Sequence, residues 1–351
     1  MTRPIVLISR GIFCLAVLGT IGTTIGPGVA DAVTFAPGDL FVGTRNGNIQ
    51  WRDASGADYS PTRVITTGDG GAQTGMRHSP LTHSLWITNF DAFTNGPPSI
   101  RIVDNTGLPA GSASFSGLLK TESVVFDAIG NAYVGGPQGV LVKLDPLGNV
   151  VTTFNVPLTG GAVGPDWIDL ARDQRTIFYT YERQVVKRYD VVSNTPLPDF
   201  ADLSSVMNPG QRLFALRLLP DDGLLIAGQR ELYRLDAQGK VVQTYDVPGE
   251  DQFFSLALTP DCQSFWTGTL FNSTFSAFNV YEFGIASGLV ERSFDAKSSV
   301  GGVAVLGDAC GGSLSRVPAP TTLWLVGAGL TIVAILQARN KRPSKPAHLN
   351  S

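Results

Sequence analysis

The sequence predicts an all-β fold: a single β-propeller of about six four-stranded blades, with an export signal before it and a membrane-directed tail behind it. Three observations carry that expectation. A turn of the form Asp-x-x-Gly recurs behind short β-rich runs at intervals of roughly 40 to 50 residues, the range in which propeller blades repeat. Each interval holds short runs of β-branched and aromatic residues bounded by Gly, Pro, Asn or Asp. The first unit lacks its opening run, and a spare run follows the last unit. The same spacing also admits a seven-bladed ring or a β-sandwich.

Residues 1–32 read as a secretory signal. Arg3 and Arg10 form the positive region, Gly11 to Ile25 the apolar stretch, and Ala30-Asp31-Ala32 an Ala-x-Ala cleavage site. An uncleaved anchor is the alternative; the small residues and the Gly26-Pro27-Gly28 break favour cleavage. Residues 33–314 are the propeller domain. They open on Asp39-Leu40-Phe41-Val42-Gly43, which matches the second strand of a blade. The unit Ser123 to Val156 then shows the full order of four runs, as do Leu213 to Val247 and Phe253 to Phe294.

Asp-x-x-Gly turns stand at Asp53–Gly56, Asp104–Gly107, Asp145–Gly148 and Asp236–Gly239, with weaker copies at Asp190 to Asn194 and Gly284 to Gly288. Asp and Gly tolerate the backbone angles of a tight hairpin. Asp127, Asp173, Asp222 and Asp261 recur between the first and second strands, which is a turn signature rather than a metal site. The spare segment Val300 to Leu306 matches a first strand. Laid beside Leu40 to Val42 it completes the first blade, closes the ring and removes the exposed edges.

Residues 315–351 form the tail. An uncharged apolar run, 321–338, is about 18 residues long, close to the minimum for a membrane-crossing helix. Arg339, Lys341, Arg342 and Lys345 follow it, as the positive-inside rule asks of an exported chain. A permanent tail anchor accounts for the run equally well.

Without residues 1–32 and 321–351, the chain keeps 20 basic and 28 acidic residues, a net charge of −8. That balance argues against nucleic acid and against anionic lipid as partners. Cys262 and Cys310 are the two cysteines of the exported part. An even count in an oxidising compartment suggests a bridge. They also fall at the same repeat position in blades that meet at the closure. Two buried free thiols are the alternative.

Motifs for chemistry are sparse. The sequence has no His-Glu-x-x-His, Cys-x-x-Cys, Gly-x-Ser-x-Gly or phosphate loop. Asn272-Ser273-Thr274 reads as a loop between strands. Trp86, Trp167 and Trp266 read as blade core rather than a sugar platform. The best candidate ligand-binding residues open the first strands of successive blades, at the mouth of the central channel: His78 (or Arg77), Glu122, Asp166, Arg212 and Asp251. Solvated loops or simple ion pairs explain these residues as well. No catalytic residue and no cofactor is expected from these patterns, a divalent cation at Glu122 and Asp166 being the one exception to weigh.

Two resemblances add to this reading. Val317-Pro318-Ala319-Pro320, the Gly-containing apolar run and the basic cluster resemble the PEP-CTERM sorting tail of Gram-negative bacteria, although Ala319 stands where that family has Glu. The resemblance implies an exosortase-type processing protease as partner, inner-membrane anchoring before processing, and then the cell surface or the exopolysaccharide matrix. The blade pattern is similar to NHL and SMP-30/gluconolactonase-like propellers. That resemblance implies either a binding module for polysaccharide or an envelope protein, or a metal-dependent hydrolase working at the channel mouth. The non-enzymatic reading is the favoured one.

Overall fold

The computed structural model describes residues 33–68, 70–90, 99–114, 118, 120–157, 164–270, 278–308 and 310. The export signal at residues 1–32 lies outside the described residues, and so do the apolar run and Val317, Pro318, Ala319 and Pro320. Among the described residues every long regular element is a strand, and these form six antiparallel four-stranded sheets.

The chain enters blade 1 at β1 (Leu40–Thr44), β2 (Asn48–Arg52) and β3 (Asp58–Thr66). Blade 2 follows as β4 (Ala72–His78), β5 (Leu85–Phe90), β6 (Ser99–Val103) and β7 (Pro109–Ser114). Blade 3 is β8 (Ser123–Phe126), β9 (Ala132–Gly135), β10 (Val140–Leu144) and β11 (Val150–Asn155). Blade 4 is β12 (Trp167–Leu170), β13 (Thr176–Thr180), β14 (Val185–Asp190) and β15 (Thr195–Asp202). Blade 5 is β16 (Leu213–Leu218), β17 (Leu224–Gly228), β18 (Leu232–Leu235) and β19 (Val241–Tyr245). Blade 6 is β20 (Phe253–Leu258), β21 (Ser264–Thr269), β22 (Asn279–Gly284) and β23 (Val290–Asp295). Last, β24 (Val300–Val305) returns to blade 1 as its innermost strand.

Closure follows the expected register. Val303 lies opposite Val42, Ala304 opposite Phe41 and Val305 opposite Leu40. Side chains close the ring as well as the backbone does. Successive residues of a strand point to opposite faces. Leu40 and Val42 therefore pack with Ala257, Trp266 and Val280 of blade 6, while Phe41 packs with Met76, Leu85 and Ile87 of blade 2. Blade 1 is thus gripped on both faces, and each such large aliphatic or aromatic residue contributes about 1.5–3 kcal/mol. Trp86, Trp167 and Trp266 are all buried between blades.

The innermost strands contact one another in sequence around the ring, from β4 to β8, β12, β16, β20, β24 and back to β4. Glycines permit close approaches between these strands. A Cβ on Gly302 would stand 1.6 Å from the Thr74 carbonyl oxygen, and one on Gly75 would stand 2.5 Å from the Ser123 Cα. The void left among residues such as Gly75, Ser123, Trp167, Ala215 and Val303 is about 10 Å³. That is room for about one water.

The turns use their aspartates as expected. Asp104 Oδ1 accepts from the backbone amides of Thr106 and Leu108, and Gly107 takes φ +81°. Asp53, Asp145 and Asp236 cap their turns likewise. Between first and second strands, Asp127, Asp173 and Asp261 accept from backbone amides. Blade 5 differs. Asp221 does the capping there, and Asp222, the expected residue, takes φ +61° instead. Cys262 and Cys310 are disulfide-bonded, with Cα atoms 5.8 Å apart. The bridge ties the segment after β24 to the turn between β20 and β21.

Candidate functional site

The ends of the channel differ. At the end where innermost strands begin, the segments entering β8 and β12 bring Glu122 and Asp166 together. Glu122 is 4 % exposed and Asp166 1 %. Burial raises the pKa of both carboxyls, and their mutual repulsion raises Glu122 further; Asp166 is pushed up to about 8. Apart from its contact with Glu122, neither Asp166 carboxylate oxygen has a hydrogen-bond partner. One proton shared between the two acids is the simplest way for them to coexist, because two buried like charges cannot both ionise cheaply.

Glu182, from the hairpin between β13 and β14, adds a third negative charge that raises both neighbours. Arg212 reaches this group through Glu182, with Nη1 2.6 Å from Oε2. Three of the five expected residues therefore share one neighbourhood. Asp251 stands apart with Arg230, 3.8 Å away. Glu182 escaped the sequence reading because only strand openings were weighed, whereas the second-to-third-strand hairpins come to the same end. Among the described residues no group of three or more His, Cys, Asp or Glu converges on a possible ion position. Glu122 and Asp166 alone fall short of the oxygen-rich shell a hard cation requires.

His78 corrects the expectation that it joins this group. It is the last residue of β4 and lies at the opposite end, where innermost strands finish. Its ring is packed edge-on against Phe35 and Phe41, with centroids 5.6 and 4.9 Å away. Burial pushes its pKa down to about 4, so it is neutral near pH 7. Nδ1 lies 3.2 Å from the His83 carbonyl oxygen. A carbonyl only accepts, so Nδ1 carries the proton and Nε2 keeps its lone pair.

Four buried charges stopper the channel at this end. Arg77 Nη1 is 2.6 Å from Asp308 Oδ2, and Arg217 Nη2 is 3.1 Å from the same oxygen. Asp169 completes the ring at 3.8 Å from Arg77 and 3.9 Å from Arg217. All four side chains are less than a tenth exposed. Asp169 also accepts from the Leu218 amide across the blade boundary. Burial raises its pKa to about 6 against the pull of Arg77, and burial raises Asp308 likewise. The sequence carried a signal for this ring that went unread. Asp169 and Arg217 are lone charges inside otherwise apolar innermost strands, Trp167–Leu170 and Leu213–Leu218.

Over the stopper opens a cleft of about 440 Å³. Arg77, His78 and Asp308 lie along it, with Phe35, Pro37, Pro80 and Leu306 as apolar lining and His83 and Asn105 as polar lining.

Fold and site together define the class: a six-bladed β-propeller with a filled, one-end-stoppered channel and a cleft over the stopper. No protein-family model matches the chain, and no curated protein matches it. Among solved structures it is similar to a chain in the crystal structure of a nidogen/laminin complex, with TM-score 0.61 and 11% identity over 76% of this chain and 98% of that one. It is also similar to a protein of unknown function from Bacteroides caccae, with TM-score 0.59 and 10% identity over 77% and 99% of the two chains. At such identity the likeness is one of fold alone.

Proposed function

We propose that this chain is an exported propeller of the cell surface or exopolysaccharide matrix that acts as a binding module. In this reading the signal at residues 1–32 directs export, and the tail at 315–351 holds the chain in the inner membrane until an exosortase-type protease processes it. The partner is polysaccharide or another envelope protein. The observation that carries the binding reading is the stopper: Arg77, Asp169, Arg217 and Asp308 shut one end of the channel, and a cleft of about 440 Å³ lies over them rather than within the channel. Binding surfaces of that kind are concave, partly apolar and supplied with a few placed polar groups.

The rival is a metal-dependent hydrolase at the other mouth. One observation favours it: Asp166 has two buried oxygens with no hydrogen-bond partner beyond Glu122. Calorimetric titration of the purified protein with calcium and zinc separates the two readings. The binding module gives no stoichiometric tight site. A tight site that vanishes in Glu122→Ala, with lactone turnover vanishing alongside, would overturn it. For the positive side, immobilised protein is expected to retain a component of the producing cell's envelope fraction, and retention of nothing would count against the reading.

A further inference from the structure

The turns at the stoppered end carry apolar side chains that the fold does not use. Chain direction puts the first-to-second-strand and third-to-fourth-strand turns of every blade at this end. Among the described residues five leucines or isoleucines are exposed, and four of them lie in such turns of blades 2 and 3: Leu81, Leu108, Ile129 and Leu147, between 53 and 83 % exposed. Exposed leucines scattered singly are ordinary. These are grouped. A Cβ on Gly130 would stand 2.5 Å from Leu81 Cδ1 and 3.5 Å from Pro146 Cγ, so the turns that bear Leu81, Ile129 and Leu147 meet. Pro80, beside Leu81, also lines the 440 Å³ cleft, so apolar surface runs from the cleft onto the turn tips.

Turn geometry does not ask for these residues. In five turns of one form, an Asp carboxylate accepts from the amide of the residue before the Gly, and that Gly takes φ between +79° and +87°. The residue before the Gly is Ser55 in blade 1, Thr106 in blade 2 and Gln238 in blade 5. In the two turns of blade 3 it is Ile129 and Leu147. The cap is the same in all five, so a polar side chain serves the turn as well. A grouped apolar surface that the fold leaves in water marks a place of contact.

The path of the chain says with what. Cys310 follows β24 at this end and is bonded to Cys262 in the β20–β21 turn. Residues 311–320 separate it from the apolar run at 321–338, and ten residues span at most about 36 Å. A domain tied to a bilayer through that run keeps its stoppered end toward the lipid. Charge then selects the lipid. The four turns at 79–84, 104–108, 127–131 and 145–149 contain Asp104, Asp127 and Asp145 and no Lys or Arg. Anionic headgroups are drawn by basic clusters, so here only the apolar tips supply attraction.

We propose that the turns carrying Leu81, Ile129 and Leu147 dip into a neutral lipid interface, so that the propeller leans on the membrane by blades 2 and 3. The channel mouth at Glu122 and Asp166 is then turned away from the membrane. This rests on the reading above that the tail holds the chain in the inner membrane. The tail supplies the hold and the tips set the orientation. A few interfacial side chains alone give only reversible contact, so cutting the tail still frees the domain.

The test reconstitutes the exported chain, residues 33–351, into phosphatidylcholine vesicles. An NBD label is placed on Leu147→Cys or, as control, on Gln238→Cys, the same turn position in blade 5, across the ring from blade 2; Cys262 and Cys310 are bonded to each other. Phosphatidylcholine bearing a doxyl group near its ester is expected to quench the label at 147 at least about twofold and to spare the label at 238. Leu81→Ser with Ile129→Ser keeps both turns, as Ser55 does in blade 1, and is expected to abolish quenching at 147. Equal quenching at both positions, or quenching at 147 that the double serine variant leaves intact, overturns the proposal. So does contact that appears only on anionic vesicles and is lost in about 0.5 M salt. A label at 147 that stays in water on vesicles and is shielded only by an added envelope protein makes the patch a protein-docking surface instead. Flotation with the vesicles reports the tail separately. A chain that floats with an unquenched label at 147 keeps its anchor and loses the lipid contact; a chain that does not float loses both.

Discussion

Removing the Cys262–Cys310 bridge is expected to cost the fold about 4 kcal/mol. The bridge joins residues 48 apart in sequence. Loop-closure entropy for that separation gives on the order of 14 cal/mol/K withdrawn from the unfolded chain, which is about 4 kcal/mol at 25 °C. Little of the cost should fall on the native state, because β24 keeps its backbone pairing with β1 and its packing against blade 6 when the sulfurs are gone. The double variant Cys262→Ser/Cys310→Ser should therefore fold to the same far-UV spectrum and unfold at lower urea. Wild type held in reductant should unfold at the variant's midpoint. A loss below about 1 kcal/mol would mean that the unfolded chain is already confined, or that reduction relieves strain in the native ring. Either result would refute an entropic staple at the closure.

Three further outcomes follow from the same geometry. Gly302→Ala places a methyl group 1.6 Å from the Thr74 carbonyl oxygen, so β24 and β4 must part; overpacking of this kind costs about 3 kcal/mol or more, read as a lower urea midpoint. Arg77→Met leaves Asp308 and Asp169 short of their counter-charge and is expected to lose about 3–5 kcal/mol, whereas replacing all four ring residues with apolar ones of matched volume should recover most of it. Stability should peak in mildly acidic solution, near about pH 4–5. Below that, Asp53, Asp104 and Asp145, held below the ordinary carboxyl value by hydrogen bonds from Ser55, Thr106 and Asn149, lose their contribution as they protonate. Above it, Asp169 and Asp166, raised by burial to about 6 and about 8, favour folding only while protonated; losing that preference between the unfolded carboxyl's value and theirs outweighs the opposite gain from His78, whose value burial lowers to about 4. Thermal melts from pH 3 to 9 that rise steadily to pH 8 would contradict the raised values.

The sequence made the ring legible because blade order is local. Four short strands, an Asp-capped turn and a Gly at positive φ lie within one repeat, and the surplus run at Val300 to Leu306 needed only one vacant place to fill. The site was harder, since it depends on which end of a strand each residue occupies. Glu122, Asp166 and Arg212 lie in one neighbourhood because all three precede innermost strands. His78 was misplaced because seven residues of β4 separate one end of the channel from the other, and its position was read as the start of that strand. Asp308 lies beyond the repeat altogether, and its partners come from blades 2, 4 and 5, so no local pattern links them.

Closure of the ring by β24 is the claim on which stopper and cleft both depend, because Asp308 is held in place by the strand before it. Native-state hydrogen exchange of the Gly302, Ala304 and Leu306 amides, which the register turns toward β1, tests it most directly. Strand β24 is expected to exchange only with global unfolding, as slowly as the innermost strands β8 and β16. Exchange of these amides by local fraying, orders of magnitude faster than in β8 and β16, would contradict a closed circle.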